Sequence, residues 1–184
     1  MSMQAFVLRQ YNGPLKLTDM PRPEPRKGEV LVRVAAAGLN PLDAKIRAGA
    51  AAHARHPLPL VLGIDMAGVV EAVGEGVSAF KPGDEVYDGM GGVGDMQGSL
   101  AQYVSADADL LALKPANLLM REAAALPLAF ITAYSGIVDR AHVQAGQTVL
   151  VHGGTGGMGY VAAQLTKALG ANVFAKRQRT RCRA

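Results

Sequence analysis

Five glycines between residues 153 and 159 carry the clearest chemical signal in this sequence. Gly154, Gly156 and Gly159 have the spacing G-x-G-x-x-G. Glycines at this spacing permit a tight turn, a close backbone approach to a pyrophosphate, and close packing of a helix on a strand. We therefore predict dinucleotide binding, against the alternative of a glycine-rich turn without a ligand. The predicted cofactor-binding residues of the turn are Gly153, Gly154, Thr155, Gly156, Gly157, Met158 and Gly159.

The segments on either side of this turn predict the elements that position it. Residues 149–151 form a short apolar run with β-branched side chains, which is typical of a buried strand. Apolar residues then recur at helical spacing up to Gly170, which ends the helix as a C-cap would. Residues 172–175 predict the next strand. The order of strand, glycine turn, helix and strand predicts one βαβ unit, whose first helical amides would point at the phosphates.

The first two thirds of the chain have a different pattern. Short strand-like runs are separated by glycine and proline, which favours a β-rich barrel or sandwich. A short helix is predicted at 41–47, with proline at its first position, and further helices at 122–126 and 128–140. Residues 50–59 are interpreted as a mobile loop, with a lid as one option, and 88–98 as loop. The strands are predicted within residues 3–9, 15–19, 29–35, 60–73, 77–87, 100–105 and 110–113.

The composition indicates a folded chain and argues against nucleic-acid binding. The chain has 184 residues, of which 49% are hydrophobic and 18% charged, so it can bury a core. Five of its 19 Lys and Arg residues lie at 176–184, which leaves 14 against 15 acidic residues elsewhere. A nucleic-acid surface needs its basic residues spread over a folded face. One cysteine, no membrane-length apolar run and no signal peptide lead us to expect a cytoplasmic protein without a membrane partner.

Several segments of the chain have an order and spacing that fit one known family. These segments are Gly28-Glu29-Val30-Leu31-Val32, Ala37-Gly38-Leu39-Asn40-Pro41-Leu42-Asp43, Gly63-Ile64-Asp65-Met66-Ala67-Gly68-Val69-Val70, Lys81-Pro82-Gly83-Asp84-Glu85-Val86 and the glycine turn. Through them, residues 3–175 resemble the medium-chain dehydrogenase/reductase superfamily. The resemblance implies a GroES-like β-barrel catalytic domain at 1–118, followed by the start of a Rossmann dinucleotide-binding domain at 119–175. The implied fold class is α/β plus β, with the active site expected between the two domains.

The residues at the expected zinc positions indicate a branch of this superfamily. Zinc-dependent alcohol dehydrogenases place a cysteine and a histidine where this chain has Asn40 and Ile64. Neither side chain is a ligand that zinc prefers. The chain therefore resembles the zinc-independent quinone oxidoreductases. A zinc-dependent alcohol dehydrogenase remains the less favoured alternative, and we predict no bound metal.

The resemblance also implies a reaction and residues for it. Quinone oxidoreductases transfer hydride from NADPH to a quinone or an activated carbon–carbon double bond, as an enone has. Asn40 is the expected catalytic residue, because its amide would hydrogen-bond substrate or cofactor, although a turn residue serving local backbone is the alternative. Asp43 is expected to orient this loop, and Asp65 to be a buried hydrogen-bond anchor. Thr132 matches a segment that contacts the nicotinamide end of the cofactor. A homodimer is one option that the family leaves open.

The last residues, 176–184, depart from the family. Their sequence, KRQRTRCRA, has no apolar periodicity, and a full superfamily member would be about twice as long. We therefore expect a basic tail that is out of frame or follows a truncation. Lys176 and Arg177 stand where basic residues would favour NADPH over NADH if they are native, and they carry no information if the tail is out of frame. We therefore expect NADPH from the resemblance to the family. The alternative from another class is a noncatalytic chain that acts as a binding module.

Overall fold

The computed structural model describes residues 1–51, 54, 57–89, 91 and 96–176. The described chain forms two compact units, Met1–Pro127 and a second that begins at Leu128. The domain limits expected at residue 118 and at 176–184 stay predictions. Residues 177–184, including Arg177, lie outside the described residues, as do four positions of the loop interpreted as a lid (52, 53, 55 and 56).

The first unit consists mainly of antiparallel strands in two sheets. One sheet has the order β2-β1-β4 and the other β7-β3-β5-β6-β8. Short helix α1 (Pro41–Arg47) follows β3 with the predicted bounds, and α2 (Met120–Ala123) lies near the end of the unit. The strands are β1 (Ser2–Leu8), β2 (Lys16–Pro21), β3 (Glu29–Gly38), β4 (Leu60–Val61), β5 (Asp65–Val73), β6 (Glu85–Gly89), β7 (Tyr103–Asp107) and β8 (Ala112–Leu113).

Strand β3 is an internal strand of the larger sheet, because it pairs with β5 on one side and β7 on the other. Its β-branched residues Val30 and Val32 are fully buried, as their period-2 spacing predicts. They pack with apolar residues of the neighbouring strands into one core. The fully buried partners include Met66 from β5 and Val86 from β6. This core supports the ends of β3, β5 and β6, where the polar residues described below lie.

Three expectations for the first unit were wrong in detail. The segment 110–113 is a strand only at Ala112–Leu113, because the preceding residues form a 3-10 turn whose N-cap, Asp107, accepts a hydrogen bond from the amide of Asp109. The strand expected at 100–105 begins at Tyr103. Asp88 was assigned to a loop but lies in β6, where it pairs with Met66 of β5. Pairing with β5 extends the strand to this position, although a glycine-rich sequence follows it.

The second unit contains the predicted βαβ order. Strand β9 (Thr148–His152) leads through the glycine turn into helix α4 (Gly157–Ala168), and β10 (Asn172–Lys176) pairs with β9 in parallel. Gly170, predicted as a C-cap, directly follows the C-cap Leu169 and has a φ of 81°, the left-handed conformation that ends a helix. The helix expected at 128–140 is α3 (Pro127–Tyr134) followed by a π-helical segment, Ser135–Arg140. The βαβ prediction is therefore confirmed. The helical span expected at 128–140 is also confirmed, but its second half is π-helical rather than α-helical.

The two-stranded sheet of the second unit leaves large apolar side chains uncovered. Leu150 and Phe174 are directly paired across β9 and β10, so they lie on the same face. They are 56% and 63% exposed.

Among the described residues, no helix has the length and apolar character needed to cross a lipid bilayer.

Candidate functional site

The glycine turn is tethered to the end of β10. Gly153 has a φ of 71°, a left-handed conformation that glycine adopts without steric cost. The backbone amides of Gly153 and Gly154 donate to the carbonyl oxygen of Lys176, at 3.0 and 3.2 Å. These bonds hold the turn against the carboxyl end of the parallel pair, which is where ligands bind in sheets of this type.

Two glycines of the motif are required by packing. A Cβ atom at Gly154 would lie 2.6 Å from the Cβ of Ala175. A Cβ atom at Gly159 would overlap the carbonyl oxygen of Gly153. Since neither position has room for a side chain, the turn, helix and strand approach one another closely, as the spacing predicts.

Two other glycines of the turn face open space. A Cβ atom at Gly157 would meet nothing within 4 Å, and one at Gly156 would only approach the Gly153 carbonyl oxygen, at 3.4 Å. Gly156 is the N-cap of α4, and the first amides of a helix lack acceptors within that helix. Thr155 and Met158 beside them are exposed. The amide of Gly156 itself donates to the carbonyl oxygen of Gly153, at 2.9 Å, so the amides that fit a pyrophosphate are those of the first residues of α4.

Two further polar residues of the second unit are candidates for cofactor binding. Thr132 is exposed on α3, and its hydroxyl donates to the carbonyl oxygen of Leu128, at 2.7 Å. That bond leaves the oxygen of the hydroxyl as an acceptor. Lys176 is exposed and lies opposite the exposed His152 across the parallel pair, at the end of β10 where the turn is tethered.

Asn40 lies in the first unit as the N-cap of α1. Its backbone is extended (φ −120°, ψ 153°), as the following Pro41 requires. Its backbone amide donates to Oδ2 of Asp43, at 2.7 Å, which confirms that Asp43 orients this loop. The half-buried side chain of Asn40 donates from Nδ2 to Oδ2 of Asp65, at 2.9 Å. Asp65 is thus the buried hydrogen-bond anchor that the sequence predicted.

Three buried aspartates lie in the first unit, on α1, β5 and β6. Asp43 is 6% exposed, Asp65 is 1% exposed and Asp88 is 6% exposed. Burial raises the pKa of Asp43 above its ordinary value of 3.8, and nearby backbone amides, that of Asn40 first, partly oppose this. Burial also raises the pKa of Asp88 to about 7, with smaller contributions from the charges of Asp65 and Asp107, while the amide of Gly89 opposes the shift.

Asp88 is the polar residue that the sequence interpretation missed. Its Oδ2 is buried and has no hydrogen-bond partner among the described residues. The signal was present, because Asp88 stands two residues after Val86 and therefore on the same buried side of β6. The glycine-rich sequence that follows it concealed this alternation.

No group of three or more His, Cys, Asp or Glu side chains within the described ranges is arranged to hold a metal ion. His53 and His56 lie outside those ranges. The glycine turn and Thr132 belong to the second unit, and Asn40 belongs to the first.

Comparison with known proteins identifies relatives of this chain. Residues 26–116 match the alcohol dehydrogenase GroES-like domain. The chain is 39% identical over 176 residues to the quinone oxidoreductase of Sus scrofa. The aligned region covers 94% of this chain and 52% of the relative. It is 45% identical over 172 residues to the chloroplastic NADPH-dependent alkenal/one oxidoreductase of Arabidopsis thaliana. That aligned region covers 90% of this chain and 44% of the relative.

A solved structure extends this comparison to the fold. An alcohol dehydrogenase superfamily protein from Novosphingobium aromaticivorans has 56% sequence identity and a TM-score of 0.94, over 96% of this chain and 53% of that chain. The chain belongs to the medium-chain dehydrogenase/reductase superfamily. This superfamily member has the GroES-like unit that the sequence predicted. The chain spans about half the length of the curated relatives it matches.

Proposed function

We propose that the complete protein is an NADPH-dependent oxidoreductase that reduces a quinone or an enone without zinc. The observation that carries the proposal is the open glycine turn at the start of α4, where a Cβ atom at Gly157 would meet nothing within 4 Å. The names of the Sus scrofa and Arabidopsis thaliana relatives support the substrate class. We propose that cofactor binding involves Thr132, Gly153, Gly154, Thr155, Gly156, Gly157, Met158 and Gly159.

The residues of the turn would hold the pyrophosphate, and NADPH, when bound, would supply the hydride. The first amides of α4 would donate to phosphate oxygens, and the positive end of the helix dipole would favour their charge. Gly157 leaves those amides open, since it carries no side chain there. Thr132 would contribute its hydroxyl oxygen as an acceptor for an N–H donor.

Asn40 is the proposed catalytic residue of the first unit. Its carboxamide would hydrogen-bond the substrate or the nicotinamide and so help to orient the reacting groups. The support is its anchored position, because backbone and side chain are each held by a buried aspartate.

Preference for NADPH over NADH is proposed from the family resemblance, and Lys176 would support it where residue 176 belongs to the natural reading frame. Its exposed ammonium group stands at the end of β10, where a positive charge would attract the additional phosphate of NADPH and an acid would instead bind the ribose hydroxyls of NADH. The name of the Arabidopsis thaliana relative also includes NADPH.

Zinc independence is proposed from ligand chemistry. Asn40 and Ile64 offer an amide and a hydrocarbon at the positions where zinc-dependent superfamily members place cysteine and histidine. Cytoplasmic location and homodimer formation stay predictions.

The proposal is tested with protein expressed from its natural gene and treated with a chelator. We expect oxidation of NADPH only after a quinone or an enone is added, and slower oxidation of NADH. Lys176→Glu should weaken NADPH binding about tenfold, the loss expected for one charge-assisted hydrogen bond, and should strengthen NADH binding, because the new carboxylate can accept hydrogen bonds from the ribose hydroxyls. Lys167→Glu, at the opposite end of α4, is the matched control and should change neither. Absence of turnover with every quinone and enone tried would refute the proposal, and zinc-dependent turnover of an alcohol would favour the alternative.

A further inference from the structure

The bond between Asn40 and Asp65 joins the start of α1 to the start of β5. Asn40 Nδ2 donates to Oδ2 of Asp65, at 2.9 Å. Asp65 is 1% exposed, and its own carbonyl oxygen accepts from the buried hydroxyl of Ser99, at 2.8 Å. The carboxylate is therefore held in a buried frame, while the Asn40 side chain is only half-buried.

The chemistry of the two groups allows only one arrangement. An ionised carboxylate accepts hydrogen bonds and cannot donate, whereas a carboxamide has two N–H donors and one acceptor oxygen. The amide nitrogen of Asn40 must therefore face Asp65, because its Oδ1 would be repelled there. This bond uses one N–H of the Asn40 carboxamide, so it does not involve Oδ1 or the second N–H of Nδ2.

The close approach of Asp65 depends on the absence of a side chain at Gly38. Gly38 pairs with Asp65 across β3 and β5. A Cβ atom at Gly38 would lie 2.8 Å from the Cβ of Asp65 and would overlap the carbonyl oxygen of Ala124. Gly38 therefore lets the Asp65 side chain pack against β3, two residues before Asn40.

We propose that Asp65 is a positioning residue, which fixes the orientation of the Asn40 carboxamide and thereby selects the atoms that Asn40 offers to a ligand. This inference rests on the proposed function, in which Asn40 contacts substrate or nicotinamide. It assigns Asp65 a role beyond structural anchoring. Because an exposed or half-buried amide otherwise rotates between two nearly equivalent orientations, a fixed partner lowers the cost of ordering it at each turnover.

The test compares Asp65→Asn with Ser99→Ala in protein expressed from its natural gene. Asp65→Asn keeps the size of the side chain but no longer enforces one orientation of Asn40, because an amide can either donate or accept. Ser99→Ala removes a buried hydrogen bond to the same residue without altering the carboxylate. We expect Asp65→Asn to lower kcat about tenfold with little change in NADPH affinity, and Ser99→Ala to leave kcat unchanged.

A double-mutant cycle separates positioning from general destabilisation. In an Asn40→Ala background, Asp65→Asn should change kcat by less than about twofold, since the residue through which it acts is gone. Equal losses from Asp65→Asn in both backgrounds, equal losses from Ser99→Ala, or an unchanged kcat in Asp65→Asn would each overturn the proposal. If Asp65→Asn does not fold, Asp65→Glu is used, which retains the charge and displaces the carboxylate.

A spectroscopic readout keeps the inference separate from the proposed function. The side-chain amide resonance of Asn40, assigned by its loss in Asn40→Ala, should shift in Asp65→Asn and stay in place in Ser99→Ala. A wild-type protein inactive with quinones and enones would refute the proposed function, and the resonance would still decide whether Asp65 orients Asn40. An Asn40 resonance that does not respond to Asp65→Asn would overturn the inference.

Discussion

Replacement of Asp88 by asparagine should stabilise the first unit in neutral and alkaline solution but not in acid. Asp88 is 6% exposed, and its Oδ2 has no hydrogen-bond partner among the described residues. Burial first, and the charges of Asp65 and Asp107 next, raise the pKa of this carboxyl from 3.8 to about 7. Asparagine resembles the protonated acid in shape and carries no charge, so it avoids the cost of ionising a buried group.

The sign and size follow from proton linkage. Between the unfolded-state pKa near 3.8 and the folded-state pKa of about 7, the folded protein binds the additional proton. Its free energy of unfolding therefore falls as pH rises through this window and is constant above it. A pKa difference of about 3 units between the folded and unfolded states corresponds to about 4 kcal/mol of unfolding free energy, since one pKa unit equals about 1.4 kcal/mol. The new amide needs an acceptor of its own, so this is the upper limit of the gain.

Urea unfolding of wild type and Asp88→Asn at a series of pH values measures the effect. The difference in unfolding free energy should grow from about pH 4 to about pH 7 and then remain level. Asp19→Asn is the matched control, because Asp19 is exposed on β2, and its difference from wild type should not depend on pH. A pH-independent difference for Asp88→Asn, or a wild-type protein that gains stability relative to it as pH rises, would refute the reasoning. An infrared band of a protonated carboxylic acid, lost in Asp88→Asn, provides a second check.

Three further substitutions test the packing and the turn. Gly159→Ala should destabilise the second unit by about 1–3 kcal/mol or more, because the new Cβ atom would overlap the carbonyl oxygen of Gly153, and thermal unfolding measures this. Gly157→Ala is its counterpart in open space: unfolding should be unchanged, while the Kd for NADPH should rise, since a methyl group would stand beside the amides of α4. Gly38→Ala should cost about 1–3 kcal/mol through its clash with Ala124, measured by urea unfolding; wild-type stability in that variant would contradict the close approach.

Local pattern was sufficient for the elements that build the turn. The glycine spacing, the apolar run before it and Gly170 after the helix are all short-range signals, and β9, α4 and β10 follow them. Helix α1 has its predicted bounds for the same reason, because Pro41 at its first position determines the start. The superfamily could also be recognised from the sequence, because the order and spacing of the motifs agree with those of its members.

The environment of Asn40 was decided by tertiary structure. Asn40 and Asp65 are brought together by the pairing of β3 with β5, and Gly38 permits their approach. Asp88 becomes buried because β6 pairs with β5 over its full length, which local composition did not report. The sequence by itself thus determined which residue types stand at the turn and at the end of β3. The sheet pairing decided which of them are buried, because desolvation and hydrogen bonding depend on neighbours that are distant along the chain.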